Sequence, residues 1–337
     1  MIRSRFSGLL AASALALATF VSTSAQAGPY SGLVVFGDSL SDSGNNFLAG
    51  LYDPAQVITG NSYVPSFTYA PNGTYSNGPV WANYFASILG VPLAPSLGGG
   101  SNFAYGGATT GTPGPGAGGF PYSLRVQAGQ YLGATGNVAS PDALYVVAGG
   151  GNNARAALTA IGGGADLAAT AGATATAFAD DVGDIVDDLQ AAGAQHIVVW
   201  NTPNLGLVPA VAAGGPLAIG AGSFVAQAMN TALTGRLSLE TGVTTFDIFG
   251  FGSMFAANPA AFGFANVTDA CGAVAGANCS QYAYWDGIHP TTAAHRVLAN
   301  AMAVTLQVPE PETYALFAIG LVAVALRSRR RAKKSLS

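Results

Sequence analysis

Ser39, Asp286 and His289 are of the types that acyl transfer requires: a hydroxyl nucleophile, a carboxylate and an imidazole base. A serine hydroxyl is a weak nucleophile at neutral pH unless a base takes its proton. The base in turn needs a carboxylate to fix its tautomer and stabilise the imidazolium that forms. Ser39 stands in Gly37-Asp38-Ser39-Leu40, directly after the apolar run Leu33-Val34-Val35-Phe36. That run predicts a buried strand whose end presents the serine. Asp286 and His289 are three apart in Asp286-Gly287-Ile288-His289, a spacing that a tight loop or one helical turn closes. The chain has three histidines, so the choice of base is short. His295 is the second candidate, expected inside a helix opened by Pro290-Thr291-Thr292 and there structural; His196 opens a strand and is also read as structural. Asp38 reads as a turn residue, and Asp42 and Ser43 as loop supports.

These residues need a scaffold. Buried strands are expected at Leu33–Phe36, briefly at Asn102–Ala104, and at Leu144–Ala148, His196–Trp200 and Val243–Asp247. Helices are expected over Ala165–Ala192 and Gly222–Leu239. Short apolar runs alternating with helices imply βαβ units and a parallel sheet covered on both faces. Residues 50–79, rich in Tyr, Pro, Asn and Gly, and 111–119 read as loops. Tyr52, Tyr63, Phe67, Tyr69 and Tyr75 are candidates for an acyl-binding wall, with a packed surface loop as the alternative. Asp180, Asp181, Asp184, Asp187 and Asp188 share one helical face, which reads as solvated. The ligand pattern of a calcium-binding loop is absent there.

Composition excludes one class of partner. Charged residues make up 8% of the chain and hydrophobic ones 50%. Between Gly28 and Gln307 only Arg125, Arg155, Arg236 and Arg296 are basic, against 14 acidic residues. Nucleic-acid binding needs a basic surface, so nucleic acid is set aside. Arg3 and Arg5 precede the apolar stretch Leu9 to Val21 and the small-residue site Ala25-Gln26-Ala27, the pattern of a secretory signal peptide over 1–27. At the other end, Tyr314 to Leu326 gives 13 largely apolar residues before a basic cluster beginning at Arg327. At about 1.5 Å per residue this spans roughly 20 Å, short of a hydrocarbon core of about 30 Å. Cys271 and Cys279 suit an oxidising compartment and a disulfide that stiffens the segment before Asp286; two free buried thiols are the alternative. No second Cys or His pair is near enough for a metal site, and no cofactor is expected.

Four stretches carry a family resemblance. Gly37-Asp38-Ser39-Leu40-Ser41-Asp42-Ser43-Gly44-Asn45-Asn46 resembles the first block of the GDSL lipase/esterases, or SGNH hydrolases. Asn102-Phe103-Ala104-Tyr105-Gly106-Gly107-Ala108-Thr109 resembles the second. The third is similar to Ala143 through Gly149-Gly150-Gly151-Asn152-Asn153, and the last to Trp285-Asp286-Gly287-Ile288-His289-Pro290-Thr291. The resemblance implies a flavodoxin-like three-layer α/β/α sandwich with a five-stranded parallel sheet over 28–307. It implies Ser39, Asp286 and His289 as catalytic residues and an oxyanion hole from the Ser39 N–H, the Gly107 N–H and the Asn152 amide. Asn153 departs from the family's final Asp, which puts loop rigidity or turnover in question; Arg155 is the nearby cation. The implied activity is exported carboxylic-ester hydrolysis on lipid or lysophospholipid-type esters. A carbohydrate O-acetylesterase acting on exopolysaccharide and a non-catalytic surface protein on the same fold are the alternatives. Val308-Pro309-Glu310-Pro311 and the tail over 308–337 resemble the PEP-CTERM sorting signal of Gram-negative bacteria. That implies a transient inner-membrane anchor cut by an exosortase-type partner, with a plain tail anchor as the alternative.

Overall fold

The computed structural model describes residues 29–308 except 54, 63–66, 70–72, 112 and 115. The expected signal peptide, Tyr63 and the tail from 309 lie outside the described residues. Among the described residues, no helix is long and apolar enough to cross a membrane.

Four parallel strands, β1 (Leu33–Gly37), β2 (Leu144–Ala148), β3 (His196–Trp200) and β4 (Val243–Phe246), lie in the order β1-β2-β3-β4. The register sets Gly37 beside Ala148 at the carboxyl edge. The side-chain period of two sends Val34, Phe36, Tyr145, Val147, Ile197 and Val199 to one face. That face is covered by α2 (Leu124–Ala134), α3 (Gly151–Gly162), α4 (Leu167–Ala191) and α5 (Gly215–Leu237). Leu33, Val35, Val146, Val198 and Trp200 point the other way, onto α1 (Trp81–Leu89) and α7 (Thr292–Thr305). The result is the expected three-layer sandwich, with α5 beginning seven residues before its expected start at Gly222.

Among the described residues the sheet has four strands, not five. Asn102 makes a single parallel bridge to Val35, with Val35 N–H donating to Ser101 O and Phe103 N–H to Val35 O. A continued strand would next take the Gly37 N–H. The Gln127 side chain from α2 takes it instead, so that of the neighbouring backbone only Tyr105 N–H donates to the Gly37 carbonyl. The Asn45 amide covers the outer edge at the carbonyls of Asn102 and Ala104. Placing that bridge beside β1 gives the 2-1-3-4-5 order of flavodoxin-like folds, whose ligands bind at the carboxyl edge where the order reverses. After β4 comes α6 (Ile248–Ala257) and then a second, two-stranded parallel sheet of β5 (Asn266–Ala270) and β6 (Tyr282–Tyr284), which the sequence reading did not anticipate.

Candidate active site

Ser39 lies two residues beyond β1, at the carboxyl edge of the sheet. Asp286 and His289 follow β6 in a tight loop closed by Trp285 N–H donating to His289 O at 2.8 Å. A disulfide joins Cys271 to Cys279 just outside β5 and β6, so the covalent link and the small sheet together brace this segment.

The three side chains form one hydrogen-bonded line. His289 Nε2 is 2.8 Å from Ser39 Oγ, and His289 Nδ1 is 2.6 Å from Asp286 Oδ2. A carboxylate beside Nδ1 holds the proton there and leaves Nε2 to accept from the serine hydroxyl. Asp286 is anchored on its other oxygen by the N–H groups of Ile288 and His289, at 2.8 and 2.7 Å. Burial alone pushes the Asp286 carboxyl up, but the charge of His289 and these hydrogen bonds outweigh it and hold the group below its ordinary value. Asp286 and His289 are fully buried, and Ser39 retains 9% exposure where it meets the cleft.

Two tyrosines from the 50–79 loop stand behind this line and do not form an acyl wall. Tyr69 donates to Asp286 Oδ2 at 2.7 Å, and Tyr75 lays its ring 5.2 Å from the His289 imidazole while accepting from Asn46 Nδ2. Both are buried. Gly106 makes the packing of Tyr75 possible, since a Cβ there would sit 2.1 Å from the ring. Phe47 and Tyr52 pack edge to face against each other, and Phe67 is exposed.

Asn152 is tied to the loop that carries Gly107. Asn152 lines the cleft with Ser39 and His289 at the start of α3. Its Nδ2 donates to Ala108 O at 2.8 Å and its Oδ1 accepts from Arg155 at 3.2 Å, which fixes the amide's orientation. An amide nitrogen carries two protons, and Ala108 uses one. Gly107 takes φ +85°, a left-handed conformation that glycine adopts without strain. Asn153 faces away from Arg155's contact with Asn152, toward Thr110.

The other candidates have different duties. His295 is buried in α7, and burial together with the nearby His289 charge pushes its pKa down to about 3. His196 lies at the opposite end of the sheet against Tyr30. Asp42 accepts from the N–H groups of Gly44, Asn45, Asn46 and Gly106, so it ties the Ser39 loop to the Gly107 loop. Burial nevertheless pushes its pKa, and that of Asp38, up to about 6. The acidic face of α4 is not simply solvated: Asp184 pairs with Arg125, Asp187 with Arg236, and Asp181 accepts from Thr110.

An apolar cavity of about 110 Å3 lies beside the cleft at Ser39. The two spaces share Leu40, Pro203, Val208 and Ile288 in their walls. Phe251 and Phe255 of α6 close the far side. Sequence reading missed this wall because it lies in a segment with no chemistry-bearing residue.

The chain matches the GDSL-like lipase/acylhydrolase family over residues 33–302, and it belongs to that family. It also carries a PEP-CTERM protein-sorting motif at residues 307–331, an export signal. Esterase EstA of Pseudomonas aeruginosa is 32% identical over 92% of this chain and 52% of its own length. Lipase 1 of Photorhabdus luminescens is 31% identical over 58% of this chain and 26% of its own length. The chain spans about half the length, or less, of these curated relatives.

Proposed function

We propose that the protein is an exported serine esterase that hydrolyses carboxylic esters through an acyl-enzyme on Ser39. The observation that carries this reading is the unbroken line from Asp286 Oδ2 through His289 to Ser39 Oγ, ending in a cleft. His289 Nε2 takes the hydroxyl proton as Ser39 Oγ attacks the carbonyl carbon. Asp286 stabilises the imidazolium, and Tyr69 supports Asp286 from behind. The oxyanion is received by the N–H groups of Ser39 and Gly107 and by the second amide proton of Asn152. Collapse of the tetrahedral adduct breaks the ester C–O bond, and His289 returns the proton to the departing alcohol. Water then repeats the sequence on the acyl-enzyme and releases the acid.

The cavity supports esters of longer acyl chains over acetyl esters. An acetyl group would leave it empty, whereas an apolar space of about 110 Å3 has room for several methylene groups. Lipid-type esters of short to medium chain fit the site best, with longer chains running out through the mouth. The PEP-CTERM motif supports export in a Gram-negative cell, with a membrane anchor held until an exosortase-type enzyme removes it. Turnover of p-nitrophenyl esters from acetate to palmitate tests the reading. The expected maximum is at four to six carbons; a maximum at acetate would favour the O-acetylesterase, and no turnover at any length would favour a binding protein.

A further inference from the structure

Thr110 ties the loop that carries Gly107 to two helices at once. Its N–H donates to Asn153 Oδ1 at 3.2 Å, and its hydroxyl oxygen accepts from Asn153 Nδ2 at 2.9 Å. The hydroxyl proton goes to Asp181 Oδ2 on α4, at 2.8 Å. Thr110 is fully buried. These three donors meet three acceptors with none left over. A hydroxyl carries one proton, and it can serve Asp181 because Asn153 offers that oxygen a donor, not a second acceptor. The loop is held at adjacent points too: Ala108 O accepts from Asn152, and Thr109 O and Thr110 O accept from the N–H groups of Leu124 and Arg125.

We infer that Asn153 and Asp181 are a coupled pair of positioning residues, an amide on α3 and a carboxylate on α4 that share the Thr110 hydroxyl and set the Gly107 backbone against Ser39. The inference rests on the proposed role of the Gly107 N–H as an oxyanion donor. Its consequence is a rule of exchange. A carboxylate at 153 facing Asp181 leaves two anions competing for one proton, and like charges this close repel. An amide at 181 still accepts from the hydroxyl, so the pair of amides remains balanced. Swapping the two residues is balanced as well: the carboxylate at 153 accepts both Thr110 protons, and the amide at 181 donates to the hydroxyl oxygen.

The test is a double-substitution cycle in the full chain, read as kcat, KM and thermal midpoint with p-nitrophenyl butyrate. Asn153→Asp should lower kcat roughly 10–100-fold with KM changed less than about threefold, as for a displaced oxyanion donor. Asp181→Asn should stay within about threefold of the parent, and the double substitution should return to that range. A harmless Asn153→Asp, or a double variant as poor as Asn153→Asp alone, would overturn the inference. If Asn153→Asp does not fold, recovery of folded protein in the double variant supports the pairing, and its failure to fold where Asp181→Asn folds contradicts it. A parent that does not turn over esters refutes the functional reading instead. The thermal midpoints still report the Asn153–Asp181 coupling in that case.

Discussion

Gln127 holds both backbone groups of Gly37: Oε1 accepts the Gly37 N–H at 2.8 Å, and Nε2 donates to the Gly37 carbonyl at 2.9 Å. It takes the Gly37 N–H that a fifth strand would use, and it shares the Gly37 carbonyl with Tyr105 N–H. The last residue of β1 is therefore gripped by a buried side chain two positions before Ser39. Gln127 is a support for the Ser39 loop that no local sequence pattern announces.

Gln127→Leu should therefore cost about 1–3 kcal/mol of stability, because the Gly37 N–H loses its buried acceptor. It should also lower kcat about tenfold with little change in KM, since Ser39 would be less well aimed. Urea unfolding and steady-state kinetics check the two effects. A stability loss with kcat unchanged would confine Gln127 to the fold.

Tyr69→Phe removes one donor from Asp286 and leaves the N–H groups of Ile288 and His289 in place. The expected outcome is a drop in kcat of roughly three- to tenfold and a stability loss of about 1 kcal/mol. Asp286→Asn should be far more damaging, by about 10⁴ in kcat, because it permits the wrong His289 tautomer. Equal effects from the two substitutions would mean that Tyr69 does more than support the carboxylate.

Gly252 lines the apolar cavity, and a Cβ added there meets nothing within 4 Å. Gly252→Leu should fill the space that the proposed function assigns to the acyl chain. Hydrolysis of hexanoate esters should fall at least about tenfold in kcat/KM, while acetate esters stay within about threefold. A uniform loss across chain lengths would place the acyl chain elsewhere.

Asp38 and Asp42 have folded-state pKa values of about 6 against an ordinary 3.8, so the folded protein holds their protons more tightly than the unfolded chain. Their contribution to stability is fully present below pH 3.8 and is lost as pH rises through about 6. Asp286 works the other way: held below its ordinary value, it contributes stability above that value and loses it as pH falls further. Asp38→Asn can keep the acceptor for Leu40 N–H and removes one titration. The decline in thermal midpoint from pH 4 to 7 should become shallower, by on the order of 2 kcal/mol of stability. An unchanged slope would show that Asp38 does not titrate in this window.

What was legible in the sequence was the local part. The run Leu33–Phe36 marks β1, and the three-residue spacing of Asp286 and His289 needs a tight loop that Trp285 and His289 close. Supports that arrive from a distance were not legible. Gln127 is 90 positions from Gly37, on a helix whose sequence shows no sharp apolar face, and Tyr69 is 217 from Asp286. Both partners are fixed by tertiary packing, which no short-range pattern encodes. Asp181 looked solvated for the same reason, because Thr110 reaches it across 71 positions. The strands β5 and β6 escaped notice because Asn266–Ala270 mixes polar and small residues without alternation.

The central claim is that Ser39, activated by His289, is the nucleophile. A p-nitrophenyl alkylphosphonate reacts with an activated serine and stays attached, so mass spectrometry of the labelled, digested protein reads the site directly. The account predicts stoichiometric release of nitrophenol and a single labelled peptide containing Ser39, with labelling lost in Ser39→Ala and slowed by at least about 10³ in His289→Ala. Labelling on another residue, or ester turnover that survives Ser39→Ala, would contradict it.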